Sequence, residues 1–117
     1  MATSRKQIKA VFYRTAAGAE PVREWLKTEL DQEERRTVGI DIATVEFGWP
    51  VGMPVCRPLG EGLREVRSSL SGGRTARVLF CVAGDRMVLL SAFVKKSRKT
   101  PQAEIEKARN RMKDLKR

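Results

Sequence analysis

Cations predominate among the residues able to do chemistry in this 117-residue chain. Lys and Arg number 24 against 14 Asp and Glu, a net charge of +10, and there is no histidine. Without imidazole, a histidine general base and a histidine metal ligand are both excluded. Cys56 and Cys81 form no CxxC pair and read as free thiols, in neither a zinc ribbon nor a disulfide framework. No metal and no cofactor is expected. What remains is the chemistry of guanidinium and ammonium groups acting on an anion. Guanidinium grips phosphate oxygens in a planar fork and stays charged, so it suits charge stabilisation and not proton transfer. Lysine is more adjustable, because burial and neighbouring positive charge lower its pKa.

The cations are not spread evenly. Residues 1–60 hold nine Lys/Arg and eight Asp/Glu, whereas residues 61–117 hold 15 and six. A clustered positive field concentrates polyanions, of which nucleic-acid phosphates, a ribosome surface and an acidic protein are the candidates. Side chains alternate between the faces of a strand. In Thr75–Val82, Ala76, Val78, Phe80 and Val82 make one apolar face, and Arg77 points the other way with Leu79 and Cys81. A charged residue amid an apolar strand is paired or functional. Glu65 and Arg67 share a face in the preceding strand, where Arg67 is equally well read as the ion-pair partner of Glu65. Lys95 shares a face with Leu89, Ser91 and Phe93 in the next, and Lys96, Arg98 and Lys99 follow. Adjacent strands would let Arg67, Arg77 and Lys95 converge on one patch.

The elements that must hold this patch are legible from periodicity. Gln7–Tyr13 alternates and then turns apolar, as a first strand does. Pro21 suits a helix's first turn, and Val22, Trp25, Leu26 and Leu30 follow at helical spacing. Asp31 and Glu34 form a capping pair opening a second helix, which Gly48 and Pro50 stop. Residues 20–48 thus read as a helical hairpin. Val51–Gly62, with two Pro and three Gly, reads as a connecting loop. Leu63–Leu70, Thr75–Val82 and Arg86–Lys95, joined by short turns, read as a three-stranded antiparallel meander. Thr100 as N-cap and Pro101 at the first helical position open a last helix, with Ile105, Ala108, Met112 and Leu115 as its apolar stripe. The expectation is a single α+β domain over residues 1–117: strand, helical hairpin, meander, C-terminal helix. No apolar run approaches a membrane span and the start is polar, so a cytoplasmic location is expected.

The stretch from Leu59 to Arg67 (LGEGLREVR), Ala76–Phe80 (ARVLF), Leu89–Lys96 (LLSAFVKK), Lys99-Thr100-Pro101 with Glu104, Ile105 and Ala108, and the Pro21-Val22…Trp25-Leu26 helix together resemble the HigB-like, phage-derived branch of the RelE toxin superfamily. The likeness runs from Phe12 to about Met112. It implies a RelE-like fold and the toxin of a type II toxin–antitoxin pair: a metal-independent endoribonuclease that cuts mRNA, commonly during translation on the ribosome. It implies an antitoxin partner, often a helix-turn-helix protein, with operator DNA bound only through that complex. By motif, Arg77 matches the strand arginine that contacts the scissile phosphate, Arg67 the arginine ending the preceding motif, and Lys95 and Lys96 the paired lysines. Arg64 and Ala76 stand where aromatics are usual.

Metal-free cleavage has the ribose 2′-OH attack the adjacent phosphate. Arg77 and Arg67 suit stabilisation of the phosphorane. Lys95 or Lys96 would serve as base or acid, with Glu65, the one carboxylate in the patch, as a second base. Arg64, Arg98 and Lys99 complete the basic set as RNA contacts. The alternative is a non-catalytic module of the same fold that holds RNA, ribosome or DNA without cutting it.

Overall fold

The computed structural model describes residues 5–52, 55–97 and 99–115. Five strands and three longer helices run in the order β1 (Lys9–Phe12), α1 (Pro21–Glu29), α2 (Gln32–Gly48), β2 (Cys56–Gly60), β3 (Leu63–Ser69), β4 (Thr75–Ala83), β5 (Arg86–Lys95) and α3 (Gln102–Asp114), with a short 3₁₀ turn at Ser71–Gly73. The α+β class, the helical hairpin, the meander and the C-terminal helix are as the sequence pattern predicts.

The predicted connecting loop is a correction. Part of Val51–Gly62 is β2, which pairs antiparallel with β3 and makes the sheet five-stranded, in the order β1-β5-β4-β3-β2. Pro58 argued against a strand because proline cannot donate to a ladder, but β2 is an edge strand, where that loss is tolerated. The turn from β2 to β3 keeps Gly60, Glu61 and Gly62 all at positive φ. Arg109 of α3 braces it, donating to the Leu59 carbonyl at 3.1 Å and reaching the Glu61 carboxylate at 3.1 Å. At the other edge, β1 runs parallel to β5, a pairing that needs the long crossover the intervening elements supply.

Both faces of the sheet are covered. Val22, Val38, Ile42 and Val45 of α1 and α2 meet Val66, Ala76, Val78, Phe80, Met87 and Leu89 on one face. Ala108 of α3, with Ile105 and Met112 beside it, meets Leu63, Leu79, Cys81, Val88 and Leu90 on the other. Leu90 has no cross-strand partner on β4, since Leu79 pairs with Ser91 and Phe80 with Leu89. This bulge reverses the alternation of β5. Leu89 therefore packs toward α1 and α2 while Ser91, Phe93 and Lys95 lie on the α3 side, which corrects the predicted grouping of Lys95 with Leu89.

The capping pair at α2 is present in full. Asp31 Oδ1 accepts from the Glu34 amide at 2.8 Å, and Glu34 Oε1 accepts from the Asp31 amide at 3.1 Å. Arg74, from the β3–β4 turn, donates to the other Glu34 oxygen. The Asp31 amide and the Arg74 guanidinium hold the Glu34 carboxyl below its ordinary value. A lowered carboxyl stabilises the fold while it is ionised. That contribution is present above the ordinary Glu value of 4.5 and is lost as pH falls below it. Asp31→Ala should therefore cost about 1 kcal/mol in denaturant unfolding, and Glu34→Gln should flatten the decline of melting temperature with acid.

Candidate nucleic-acid interface

Alternation puts Arg57, Glu65, Arg67, Leu79 and Arg77 on the α3 side of the sheet, and strand register sets their spacing. Arg67 on β3 lies directly opposite Arg77 on β4, and Arg77 lies opposite Phe93 on β5. The next row across the sheet runs Arg57, Glu65, Leu79, Ser91. Lys95 opposes Thr75 at the outer end of the hairpin. Three guanidiniums and one carboxylate thus share the part of this face that α3 leaves to the segment joining β5 to it.

That segment lies over Arg77, which is only 1% exposed. Arg77 Nη2 donates to the Ser97 carbonyl and Nη1 reaches Thr100 Oγ1 at 3.5 Å. Its guanidinium sits 6.0 Å from the Phe93 ring centre, and its Nε has no hydrogen-bond partner among the described residues. Burial first, then the neighbouring Arg67 and Arg57 charges, pulls the Arg77 pKa below that of a free arginine, against an upward pull from Glu65. Thr100 Oγ1 in turn donates to Glu65 Oε2, and the other Glu65 oxygen pairs with Arg67 Nε at 3.3 Å. A continuous polar chain results, from the Ser97 carbonyl through Arg77, Thr100 and Glu65 to Arg67.

This chain revises two predicted roles. Glu65 is fully buried. A general base must reach the proton it takes, and among the described residues the Glu65 carboxylate is engaged by Thr100 and Arg67. Thr100, predicted as the N-cap of α3, spends its hydroxyl on Glu65 instead. The N-cap is Pro101, with no side-chain cap. The Arg67–Glu65 ion pair considered from the sequence is formed, although the Arg67 side chain keeps 21% of its surface open.

Lys95, at the end of β5, and Lys96 and Lys99, in the segment that follows, are all exposed. Arg98 lies outside the described residues. Arg64 is not brought to the patch. Alternation sends it to the opposite face, where its guanidinium stacks 4.9 Å over the Trp49 ring. Among the described residues no cluster of three or more Cys, Asp and Glu gathers to hold a metal ion.

Residues 24–113 match the model of phage-derived Gp49-like proteins, known also as DUF891. The chain belongs to the Gp49-like family. This is a family of the RelE/HigB-like toxin type, and the α+β architecture is compatible with a RelE-like fold. No match is found among curated proteins. The matched span takes in most of α1, all of β2 to β5 and nearly all of α3, hence every residue of the Gp49-like patch. It leaves out β1.

One member of the patch escaped the sequence reading. Arg57 is half-buried on β2, beside Glu65, with its charge felt at Arg77. Its signal was the alternation of Cys56, Arg57 and Pro58, apolar in and cationic out, which the proline count concealed.

Proposed function

We propose that this Gp49-like protein is the toxin of a type II toxin–antitoxin pair and cleaves mRNA without a metal, on translating ribosomes. The observation that carries this reading is the cluster of Arg57, Arg67 and Arg77 on three neighbouring strands, Arg67 opposite Arg77 and Arg57 opposite Glu65 in the next row, with the exposed Lys95, Lys96 and Lys99 beside it. The open edge of Arg67, with Arg57 beside it, holds the phosphate oxygens in charge-assisted hydrogen bonds. Arg77 acts from beneath. Its fixed charge stabilises the phosphorane, and it sets the position of the segment above it. Lys95 and Lys96 carry the proton from the 2′-OH and to the 5′ leaving oxygen. The ribosome supplies the alignment of message and attacking hydroxyl. The partner is an antitoxin, a helix-turn-helix protein, through which operator DNA is bound.

Induced expression should arrest growth and shorten ribosome-bound messages. The Lys95→Ala, Lys96→Ala double variant should lose cleavage by roughly 10²–10⁴-fold, since proton transfer contributes that much. RNA affinity measured in parallel separates lost chemistry from lost binding. Unchanged cleavage in the double variant would refute the assignment of the lysines.

The burial of Glu65 and Arg77 favours one rival, a module that binds RNA or ribosome without cutting it. Under that reading, induction leaves message lengths intact while the protein still retains RNA.

A further inference from the structure

The lysine-rich segment between β5 and α3 has a buried anchor at each of two points. Ser97 offers its backbone carbonyl to Arg77, and Thr100 is itself 5% exposed and held between Arg77 and Glu65. The two anchors bracket Lys99 and close off the stretch that begins at the exposed Lys95 and Lys96. Of the groups involved, only the Thr100 hydroxyl touches both strands beneath: it accepts from Arg77 of β4 and donates to Glu65 of β3. A hydroxyl has one proton and two lone pairs, so it can accept from a cationic donor and donate to a carboxylate at the same time. The following residue is Pro101, which fixes its own φ and restricts the backbone of Thr100. The chain therefore enters α3 from a point set by side-chain hydrogen bonds and not by a helix cap.

We propose that Thr100 is the positioning residue of the basic face. Its hydroxyl latches the Lys95–Lys99 segment onto the Arg77–Glu65 pair and so fixes where the ammonium groups stand over the arginines. This deepens the RNA-cleaving reading and rests on it. Thr100 touches no substrate; it acts through the lysines whose backbone it holds.

The test compares the full chain carrying Thr100→Val, isosteric but without a hydroxyl, with Thr100→Ser, which keeps the hydroxyl. Thr100→Ala replaces the valine variant should that one not fold. Amide hydrogen exchange over residues 96–100 reads the latch without any RNA, and binding of a single-stranded oligoribonucleotide reads its consequence. Losing a buried hydrogen bond to a charged partner should speed exchange there about tenfold or more. RNA affinity should fall by a similar factor, with both restored in Thr100→Ser. A cap or packing role alone would loosen α3 and leave the 96–100 amides and the serine rescue unmoved. Wild-type exchange in Thr100→Val overturns the latch. Faster exchange with full RNA affinity overturns its role in positioning. If the unaltered protein binds no oligoribonucleotide, the RNA reading fails and the positioning role with it. The exchange data then still show whether Thr100 holds the segment.

Discussion

The Arg77→Ala protein should melt roughly 10–20 °C below the unaltered chain and should lose RNA cleavage by 100-fold or more. The stability loss has two sources. Removing the guanidinium takes the donor from the Ser97 carbonyl and from the Thr100 hydroxyl, the latter on a residue only 5% exposed. A stranded buried polar group costs about 1–3 kcal/mol. The missing side chain also leaves a cavity in the middle of β4, because Arg77 is the largest of the fully buried side chains. Against this stands relief from desolvating a charge beside Arg67 and Arg57, which is what pulls the Arg77 pKa down. A net loss of about 3 kcal/mol remains, and in a domain of this size each kcal/mol moves the melting point by about 3–6 °C. The activity loss follows from removing a preorganised charge near the reacting phosphate, a change commonly worth about 10²–10³ in rate. Arg77→Met separates the two effects. It fills most of the volume and should recover part of the melting temperature, since a well-packed apolar side chain often replaces a buried ion without penalty. It should recover no cleavage. A methionine variant with normal cleavage would show that Arg77 serves the fold and not the RNA.

The sequence made β4 easy to read and its surroundings harder. Arg77 stood out because a lone cation interrupts an apolar alternation, and the structure gives the physical reason: the residue is buried beneath a connecting segment, not displayed on a surface. Arg67 and Lys95 fell on the correct face because period-2 alternation is strict until a bulge intervenes. The bulge at Leu90 had no signal in composition, and it alone moved Leu89 to the other side. Arg64 illustrates the reverse. It sits one residue from Glu65, so alternation already sends it away from the patch, and only its charge suggested otherwise. β2 was hidden because Pro and Gly density marks a loop unless the strand is known to lie at an edge, and edge position is a property of the whole sheet. The Thr100 hydroxyl was hidden for a similar reason. A threonine before proline at a helix start reads locally as a cap, while its actual partner, Glu65, is 35 residues away.

Glu65→Gln should be among the most damaging single changes in the chain, although it alters one atom type and no volume. Glu65 is fully buried and, opposite Arg57 and one row from the Arg67–Arg77 pair, is the acidic member of that cluster among the described residues. Its ionised oxygens serve Thr100 on one side and Arg67, at 3.3 Å, on the other. The amide can still accept from Thr100, but it turns one donor or one neutral oxygen toward a guanidinium. The like charges of Arg57, Arg67 and Arg77 then lose the carboxylate set among them. Breaking a buried ion pair on one side costs about 3–5 kcal/mol, because the remaining charge is left uncompensated. Two further measurements identify electrostatics as the cause. Adding Arg67→Gln to Glu65→Gln should return part of the loss, a coupling of about 0.5–3 kcal/mol, because the second change removes one of the crowded like charges. Phosphate should raise the melting temperature of Glu65→Gln more than that of the unaltered protein. An anion that binds among the arginines stabilises the folded form by mass action, whereas chloride at equal ionic strength offers only screening. Equal gains with phosphate and chloride would mean that the arginines hold no oxyanion there, and the phosphate-gripping role given to Arg57 and Arg67 would then have to be abandoned.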